Sequence, residues 1–337
     1  MKTLRFRLWL LFVCPFPILL IALLVGPSEM VSASDGLRWL GRRLFGFPSD
    51  IKGNPDLIRT ILIDVRLPRV LLTFIVGGSL ASAGNALQAL FRNPLVSPYI
   101  LGLSAGAAFG AALAMTIPLL PLQPTAFAFA ILAVGLAYFL ARSRRSVSVI
   151  SLILSGVIVT GIFTALLTIV QFITDPFKLQ TIVHWTMGNL HNASWAKLRS
   201  AAPFCGVGIV WLFLFRWRMN VLALGDEETR AVGLNPEREK LLVLVPATLV
   251  ASAAIAVAGV IGLIGLVVPH MIRMMIGPDN TNSLPASFAF GGAFLLIVDT
   301  FSRTVAAFEI PIGVFTTLLG GPFFIFLLRR AKIGWEV

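Results

Sequence analysis

The sequence predicts an all-α, polytopic membrane protein with about ten transmembrane helices, and two observations support that fold class. The 337 residues are 57% hydrophobic and only 12% charged, with a mean hydropathy of +0.91, which lies far outside the range of soluble globular proteins. Apolar runs with few charges recur along the whole chain, and each is long enough to cross ~30 Å of hydrocarbon as a helix. The whole chain is therefore predicted to be one transmembrane domain.

The boundary between the seventh and eighth spans is the hardest to place. The chain is continuously apolar from Ala251 to Val268, and Gly259, Gly262 and Gly265 mark either a tight reversal or a kink. We predict spans at about residues 8–26, 66–91, 100–117, 124–141, 147–173, 200–217, 241–257, 259–276, 286–303 and 311–330.

The first apolar run follows the basic residues Lys2 to Arg7 and resembles a signal peptide, with Val31-Ser32-Ala33 as a small-residue cleavage site. The run is longer than a usual signal core and many spans follow it, so an uncleaved first helix is favoured. Cys14 and Cys205 lie in apolar spans and indicate neither a disulfide nor a metal site.

The distribution of basic residues predicts that both termini are cytoplasmic. With ten spans and the N-terminus inside, sixteen Lys and Arg fall in cytoplasmic segments and eleven fall outside. Because the 27 basic residues are scattered between the spans, the net charge of +12 indicates membrane topology and no nucleic-acid partner.

The first outer loop, residues 27–65, is an exception because it is basic. Residues 38–43 carry three arginines among leucines and Trp39, which suits an amphipathic segment on lipid headgroups. A landing site for an acidic protein is the alternative.

A second outer segment, residues 174–199, contains His184 and His191 together with Trp185 and Met187. Histidine and methionine together in an outer segment would suggest metal ligation. A short amphipathic helix with Trp185 and Met187 as scaffold is the favoured interpretation.

The longest charged inner loop is residues 219–240. Three consecutive acids from Asp226 suit the N-terminal end of a helix, where the helix dipole favours negative charge. Gly233 ends that helix, and Asn235-Pro236 begins a second one. Two short helices joined by a glycine would form a compact knob that fits a groove on another protein. An ordinary solvated loop is the alternative.

The second span begins with Arg66 and Arg69, which share one helix face and flank Pro68 in what we predict to be the first helical turn. Arginines at a helix end also reach headgroups by snorkelling. Gly, Ala and Ser follow, and their density indicates tight helix packing in lipid. Asn93 is expected to satisfy backbone groups freed where Pro94 and Pro98 interrupt the helices.

The spans hold few ionisable residues. Asp299 and Glu309 lie near outer ends and His270 near an inner end, and none is expected to form a buried relay with a partner. An ion-coupled carrier normally needs such groups, so the sequence predicts that the energy for transport enters from elsewhere.

From Arg66 to the C-terminus the chain resembles the FecCD family, the permease subunits of ATP-binding cassette (ABC) importers for iron-siderophores, haem and vitamin B12. The shared segments are RLPR, RNPLVSP, LGLSAGAAFG, GLVVPHMIR and the run after Glu309. The resemblance implies the type II ABC importer permease fold, with a pathway formed by two copies of the chain. Its structural motif residues are Gln88, Arg92, Asn93, Pro94, Pro98, Gly102, Gly106, Pro269 and His270.

The resemblance also implies three functional sites. In such permeases the arginines that match Arg66, Arg69 and Arg303 receive glutamates from a periplasmic or lipid-anchored substrate-binding protein. The start of the fifth span, Ser148 and Val149, would contribute to the inner gate. The ATPase coupling residues would be Gly225, Glu227, Glu228, Arg230 and Gly233, although two alanines of the usual coupling motif are missing.

The implied partners are a second copy, two ATP-binding cassette subunits that bind ATP and Mg, the binding protein and membrane lipid, in the cytoplasmic (inner) membrane of a bacterium or archaeon. The sequence has no phosphate-binding loop of its own, so ATP hydrolysis is expected in a separate chain. We predict no enzymatic activity, resident cofactor or metal for this chain.

Two other functions are less well supported by the residues. A secondary transporter or channel would need coupling residues in the bilayer. An intramembrane serine hydrolase would need a nucleophile elbow around Ser104, and none occurs. The substrate stays open between iron-siderophore, haem, cobalamin and an oxyanion such as molybdate.

Overall fold

The computed structural model describes residues 2–26, 31–46, 54–143, 146–306 and 308–331, and it confirms the all-α prediction. The described residues form fifteen α-helices and one hairpin of two very short strands. A π-helical turn (Thr60–Arg66) leads into α5 and a 3-10 turn (Pro98–Leu101) leads into α6. The elements are α1 (Lys2–Val13), α2 (Pro15–Leu24), α3 (Ala33–Phe45), α4 (Pro55–Arg59), α5 (Leu67–Phe91), α6 (Leu103–Thr116), α7 (Leu122–Ala141), β1 (Arg142–Ser143), β2 (Ser146–Val147), α8 (Val149–Ile173), α9 (Pro176–Thr186), α10 (Trp195–Leu224), α11 (Asp226–Ala231), α12 (Pro236–Ala258), α13 (Ile264–Ile276), α14 (Asn280–Thr304) and α15 (Ile312–Ala331).

Seven of the ten predicted spans coincide with helices that are long and apolar enough to cross a membrane. The other three coincide with the shorter apolar helices Leu103–Thr116, Ile264–Ile276 and Ile312–Phe323. The chain is therefore a multi-pass membrane protein, and the count of ten crossings stays a prediction.

The start predicted for the second span is wrong. The helix begins at Pro55 and continues through the π-helical turn to Phe91, over 37 residues. Pro68 has no N–H and would leave a carbonyl unpaired in a regular α-helix. The wider turn just before it shifts the hydrogen-bond register, so that Leu67 N–H donates to the Leu62 carbonyl and the helix continues. Arg66 and Arg69 consequently lie inside a long helix and not at its first turn.

Helix α5 lies at the centre of the bundle and packs against α10, α12, α13 and α14. Two of its glycines allow backbones to touch: Gly77 lies against the Gly291 carbonyl and Gly84 against the Gly265 carbonyl, so a Cβ at either position would overlap that oxygen. The predicted role of the small residues in helix packing is confirmed. Helix α8 is the opposite case, with Ile150 and Phe172 79% and 89% exposed.

The helix is interrupted between α12 and α13, as the glycines there predict. Gly259 has φ +71°, and the backbone stays non-helical until Leu263, which has φ +65°. The loop after α9 crosses this break, because Asn189 N–H donates to the Ala258 carbonyl at 2.8 Å and Gly313 N–H donates to the Met187 carbonyl at 3.0 Å. These bonds bring α9, α12 and α15 together at one end of the bundle.

Both outer segments contain the predicted helices. In α3, Ser32 caps the N-terminus by accepting from Asp35 N–H, and Leu37, Leu44 and Phe45 are exposed beside the arginines. The amphipathic character of this segment is confirmed, and its partner stays a prediction. Residues 27–30 and 47–53 of the outer loop lie outside the described residues.

The inner loop is shorter than predicted. Helix α10 continues to Leu224 and α12 begins at Pro236, which leaves α11 as the one short helix between them. The expected second short helix is the first turn of α12, because the apolar residues after Lys240 continue the helix without a stop signal.

Candidate functional site: charge clusters at the two ends of the bundle

Five charged side chains meet at the end of the bundle that is predicted to face outward, and we call Arg66, Arg69, Asp299, Arg303 and Glu309 the outer cluster. Arg69 donates from Nη2 to Asp299 Oδ1 at 2.8 Å, and from Nη1 and Nη2 to Glu309 at 2.8 and 3.0 Å. Arg303 Nε lies 3.7 Å from Asp299 Oδ2. The sequence places these residues far apart, and α5 and α14 bring them together because their glycine-lined faces pack closely.

Two arginines of the outer cluster also hold the end of the first membrane helix. Arg66 Nη1 donates to the carbonyls of Leu23 and Leu24 at 3.3 and 2.6 Å, and Arg303 Nη2 donates to the Ala22 carbonyl at 2.5 Å. The last carbonyls of a helix have no partner within the helix and carry partial negative charge. The guanidinium groups therefore cap α2 and fasten it to the bundle.

The prediction that Asp299 and Glu309 lack buried partners is wrong. Asp299 is fully buried between Arg69 and Arg303, and Arg69 keeps 9% of its side chain exposed. The signal was present in the sequence, since Asp299 and Arg303 are four residues apart on one helix. Their spacing predicts contact, but the partner on α5 could not be inferred from spacing.

The outer cluster carries one excess positive charge, because three guanidinium groups face two carboxylates. Glu309 is its most accessible member, with 36% of its side chain exposed. Burial raises the pKa of Glu309, but the hydrogen bonds and charge of Arg69 outweigh that effect and hold the pKa below its ordinary value of 4.5. The structure brings the three predicted docking arginines together, and their docking role stays a prediction.

The motif between α5 and α6 is a fixed, irregular connection. Arg92 ends α5 with φ +53°, and Asn93 Oδ1 accepts from Leu95 N–H at 2.9 Å, which satisfies a freed backbone group as expected. Pro94 follows in this connection, and Pro98 begins the 3-10 turn before Gly102 (φ +81°) starts α6. The motif shapes the backbone here.

Gln88 connects this motif to α13. Its Nε2 donates to the Val96 carbonyl at 3.1 Å, and its Oε1 accepts from Arg273 Nη1 at 2.6 Å. Pro269 is buried in α13, and His270 is half-buried beside it. On α6, Gly106 packs against α7, because a Cβ at this position would lie only 2.5 Å from the Phe129 carbonyl oxygen. The contacts of Gln88 and Gly106 fit the predicted structural role, and the role of His270 stays a prediction.

The predicted coupling residues lie on and around α11. Gly225 precedes the helix with φ +148°, and Thr229 Oγ1 donates to the Gly225 carbonyl at 2.5 Å. Gly233 follows with φ +81°, a conformation that glycine adopts without strain. The side chains of Glu227, Glu228 and Arg230 are exposed. The helix therefore presents charged groups outward, and its coupling role stays a prediction.

A second group of charges was not predicted from the sequence, and we call Asp226, Glu237, Lys240 and the backbone of Val147 the inner cluster. Lys240 Nζ donates to Asp226 Oδ2 at 2.7 Å, to the Val147 carbonyl at 3.0 Å and to Glu237 Oε1 at 3.2 Å. Glu237 Oε2 accepts from Val147 N–H at 3.0 Å. The inner cluster joins α11 and α12 to the hairpin between α7 and α8.

The two gate candidates follow the inner cluster directly. Ser148 is the N-cap of α8, and its Oγ accepts from Ser151 N–H at 3.0 Å. Val149 is the first residue of α8 and is half-buried. Lys240 links Val147, just before them, to Asp226 on α11, and the gating role of both residues stays a prediction.

The outer histidines lie next to each other. The rings of His184 and His191 meet edge to face with centroids 5.3 Å apart, and burial holds the pKa of His191 below 6.5, assisted by the nearby His184. Trp185 is buried, as expected of scaffold. Met187 is 41% exposed and lines an open cavity of about 400 Å³, and its scaffold role stays a prediction.

That cavity lies between the loop after α9, the break between α12 and α13, and α15. Its lining is apolar except for Thr186 and Thr317, and Val260, Val314 and Leu318 supply most of its wall. Val314 and Leu318 are 38% and 66% exposed, so this wall is open in the isolated chain.

Comparison with known proteins gives a consistent result over nearly the whole chain. The profile of the FecCD transport family matches residues 11–330. The cobalamin import system permease protein of Halobacterium salinarum is 39% identical over 83% of this chain and 76% of its own length. The hemin transport system permease protein of Yersinia pestis is 36% identical over 94% of both chains. Other relatives are named as permeases for iron chelates and for molybdate.

Among solved structures, one described as an inward-facing conformation of a metal-chelate type ABC transporter matches this fold with a TM-score of 0.84. The two chains are 30% identical, and the match covers 96% of this chain and 98% of the other.

Proposed function

This chain belongs to the FecCD transport family of ABC importer permeases, and from that premise we propose that it moves a metal chelate into the cytoplasm. The candidates are an iron-siderophore, haem or a cobalamin, with ATP hydrolysed by a separate subunit. The observation that carries the proposal is the family match over residues 11–330, supported by relatives named for cobalamin, hemin and iron chelates. A molybdate importer is the second candidate, because one relative carries that name.

The pathway is proposed to form between two copies of the chain. The exposed apolar residues Val314, Leu318 and Leu319 on α15 lie beside the open cavity, and a second copy would cover them. An apolar wall with few charges suits a bulky chelate, since it offers no strong binding group that would hold the cargo in transit.

The outer cluster is proposed to receive the substrate-binding protein. Its excess positive charge attracts acidic side chains and favours rapid, oriented encounter. Because Arg69 is already bonded to Glu309, an incoming glutamate would take the place of Glu309. The more exposed of the two carboxylates is the one that can leave.

Two variants that should change the affinity for the substrate-binding protein in opposite directions test this docking. Glu309→Gln removes the competing charge and should tighten binding of the substrate-binding protein several-fold, whereas Arg66→Gln should weaken it by a similar factor. Lys178→Gln is the control, since Lys178 is an exposed outer cation away from the outer cluster. Binding would be measured on the assembled transporter by surface plasmon resonance. Equal affinities for all three variants would exclude the outer cluster as the docking site.

The buried Asp299 deserves comparison with the acids of ion-coupled carriers. Here the carboxylate is bonded to Arg69 and lies beside Arg303, so fixed cations already neutralise it. A coupling ion would have to displace a guanidinium to bind. The geometry therefore favours a structural acid over an ion-coupling site.

The substrate is tested by uptake into vesicles that contain this chain, its ATPase subunits and its binding protein. Labelled haem, cobalamin, ferric siderophore and molybdate would be offered separately. We expect ATP-dependent accumulation of one of the three chelates. Accumulation of molybdate alone would replace the metal-chelate proposal with the oxyanion one.

A further inference from the structure

We propose that Lys240 is a positioning residue that joins the coupling helix α11 to the start of α8, so that the two segments move as one body. This inference rests on the proposed ATP-driven import, because it assigns a route by which a displacement of α11 reaches the gate. It follows from three features of the inner cluster. All three N–H donors of the Lys240 ammonium have acceptors, both backbone groups of Val147 are hydrogen-bonded to side chains of α12, and the adjoining strand β2 is only two residues long.

The Lys240 ammonium has three N–H donors, and the structure gives it three acceptors on three different segments. These are Asp226 on α11, Glu237 in the first turn of α12, and the Val147 carbonyl on β2. No donor is left over to accommodate a change. A displacement of Asp226 must therefore either break an ion pair or pull the ammonium away from Val147.

Burial makes either loss costly. Only 7% of the Lys240 side chain is exposed, while Asp226 and Glu237 keep 33% and 24%. Water can replace a lost partner at the two acids, but it reaches the ammonium poorly, and an unpaired buried charge is strongly unfavourable. The ammonium is thus the member of the inner cluster that forces its neighbours to stay together.

Val147 is held at both of its backbone groups. Its carbonyl accepts from Lys240, and its N–H donates to Glu237. The strand β2 has only two residues, and Val147 pairs with Arg142 across the hairpin. Two side chains of α12 therefore satisfy the backbone N–H and carbonyl of Val147, as a neighbouring strand would in a larger sheet. Because Ser148 caps α8 immediately afterwards, the position of Val147 sets where α8 begins.

The start of α12, which carries Glu237 and Lys240, is held in place by further contacts. Asn235 caps α12 by accepting from Glu237 N–H at 3.0 Å, and Glu239, which is buried, pairs with Arg218 of α10 at 2.8 Å. The first turn of α12 is thereby fixed to the long helix α10. What remains adjustable is α11 on one side and the hairpin on the other, and Lys240 contacts both.

A matched pair of substitutions tests the proposal in the complete transporter. Lys240→Met removes the ammonium, and Arg238→Met removes an exposed cation two residues away with the same change of charge. Three quantities are measured for each: retention of the ATPase subunits on purification, ATP hydrolysis, and substrate taken up per ATP hydrolysed.

We expect Lys240→Met to retain the ATPase subunits and to hydrolyse ATP, while uptake per ATP falls at least about tenfold. Arg238→Met should stay near the wild-type ratio, and Lys240→Arg should recover part of it. Wild-type uptake per ATP in Lys240→Met would overturn the proposal. Loss of the ATPase subunits would also overturn it, since Lys240 would then serve docking alone. Absence of ATP-driven uptake by the wild-type transporter would instead refute the proposed function.

A second measurement needs no change at Lys240 and covers the case in which the variant does not fold. Spin labels at Glu227 on α11 and Ile150 on α8 would be placed in a chain without Cys14 and Cys205, since both labelled positions are exposed. The distance between the labels should stay constant within about 2 Å between nucleotide-free and ATP-bound states, which is less than the roughly 5.4 Å of a one-turn helix shift. The distance between the Ile150 labels of the two copies should change. A change confined to the Glu227–Ile150 distance would show that the segments move independently and would overturn the proposal.

Discussion

The outer and inner clusters are both built from buried ion pairs, yet they differ in charge and in what they hold. The outer cluster has one excess positive charge and fastens the end of α2 to α5 and α14. The inner cluster has one excess negative charge, from two carboxylates around Lys240, and holds the backbone of a two-residue strand. One cluster joins long helices, and the other joins short segments.

Access to water separates them further. Asp299 of the outer cluster is fully buried, whereas both acids of the inner cluster keep a quarter to a third of their side chains exposed. A desolvated carboxylate cannot lose its partners without a large penalty, while a hydrated one exchanges a cation for water at little cost. The comparison indicates that the outer cluster contributes more to the stability of the fold, and that the two acids of the inner cluster contribute less because water can replace a partner that they lose.

The largest effect should follow from removing the buried acid. Asp299→Leu leaves Arg303 without a carboxylate and Arg69 with Glu309 alone, and we expect a loss of about 3–5 kcal/mol in the free energy of unfolding. Unfolding in mixed detergent micelles would measure it. The double variant Arg69→Met/Asp299→Leu should recover part of the loss, and no recovery would contradict the ion-pair explanation.

A smaller loss should follow from disturbing α5, the helix that carries the outer arginines. Gly84→Ala forces a methyl group against the Gly265 carbonyl, and overpacking of this kind costs about 1–3 kcal/mol. Gly135→Ala on α7 is the matched control, because no atom lies within 4 Å of the added Cβ. Equal unfolding free energies for the two variants would show that α5 is not closely packed.

The inner cluster should respond weakly in stability. Asp226→Asn removes an ion pair whose acid is one-third exposed, so the free energy of unfolding should change by less than about 1 kcal/mol. Uptake per ATP should nevertheless fall, because α11 loses its charged link to Lys240. If Asp226→Asn lost as much free energy of unfolding as Asp299→Leu, the two clusters would not differ in their contribution to stability.

The smallest effect concerns pH at the outer cluster. Because Arg69 lowers the pKa of Glu309, the stability contributed by this carboxylate is fully present above pH 4.5 and is lost as the pH falls through the lowered value. The difference in melting temperature between the wild type and Glu309→Gln should therefore shrink as the pH falls below 4.5. A difference that grows with acid would contradict the lowered pKa.

Much of the fold could be predicted from the sequence, because lipid imposes long apolar helices and small residues report where they touch. The run from Gly77 to Gly84 predicted close packing, but it could not show that α14 and α13 are the partners. Local signals also misled where the backbone adapts: Pro68 suggested a helix start, and a π-helical turn before it lets the helix continue.

The sites were predictable only where residues lie near each other in the sequence. The acids of α11 and the glycine after it predicted a short helix at this place correctly, and its coupling role stays a prediction. The bonds between Lys240 and Val147, which are 93 residues apart, depend on how α8 and α12 pack, and no spacing rule predicts them. The same holds for Arg69 and Glu309, which are 240 residues apart.

The decisive measurement is transport by the purified chain alone compared with the complete assembly in sealed vesicles. We expect the chain alone to accumulate nothing under an imposed proton or sodium gradient, and the assembly to accumulate substrate only when ATP is supplied. Accumulation by the chain alone, driven by either ion gradient, would contradict the proposal that partner proteins on its two faces drive its motion.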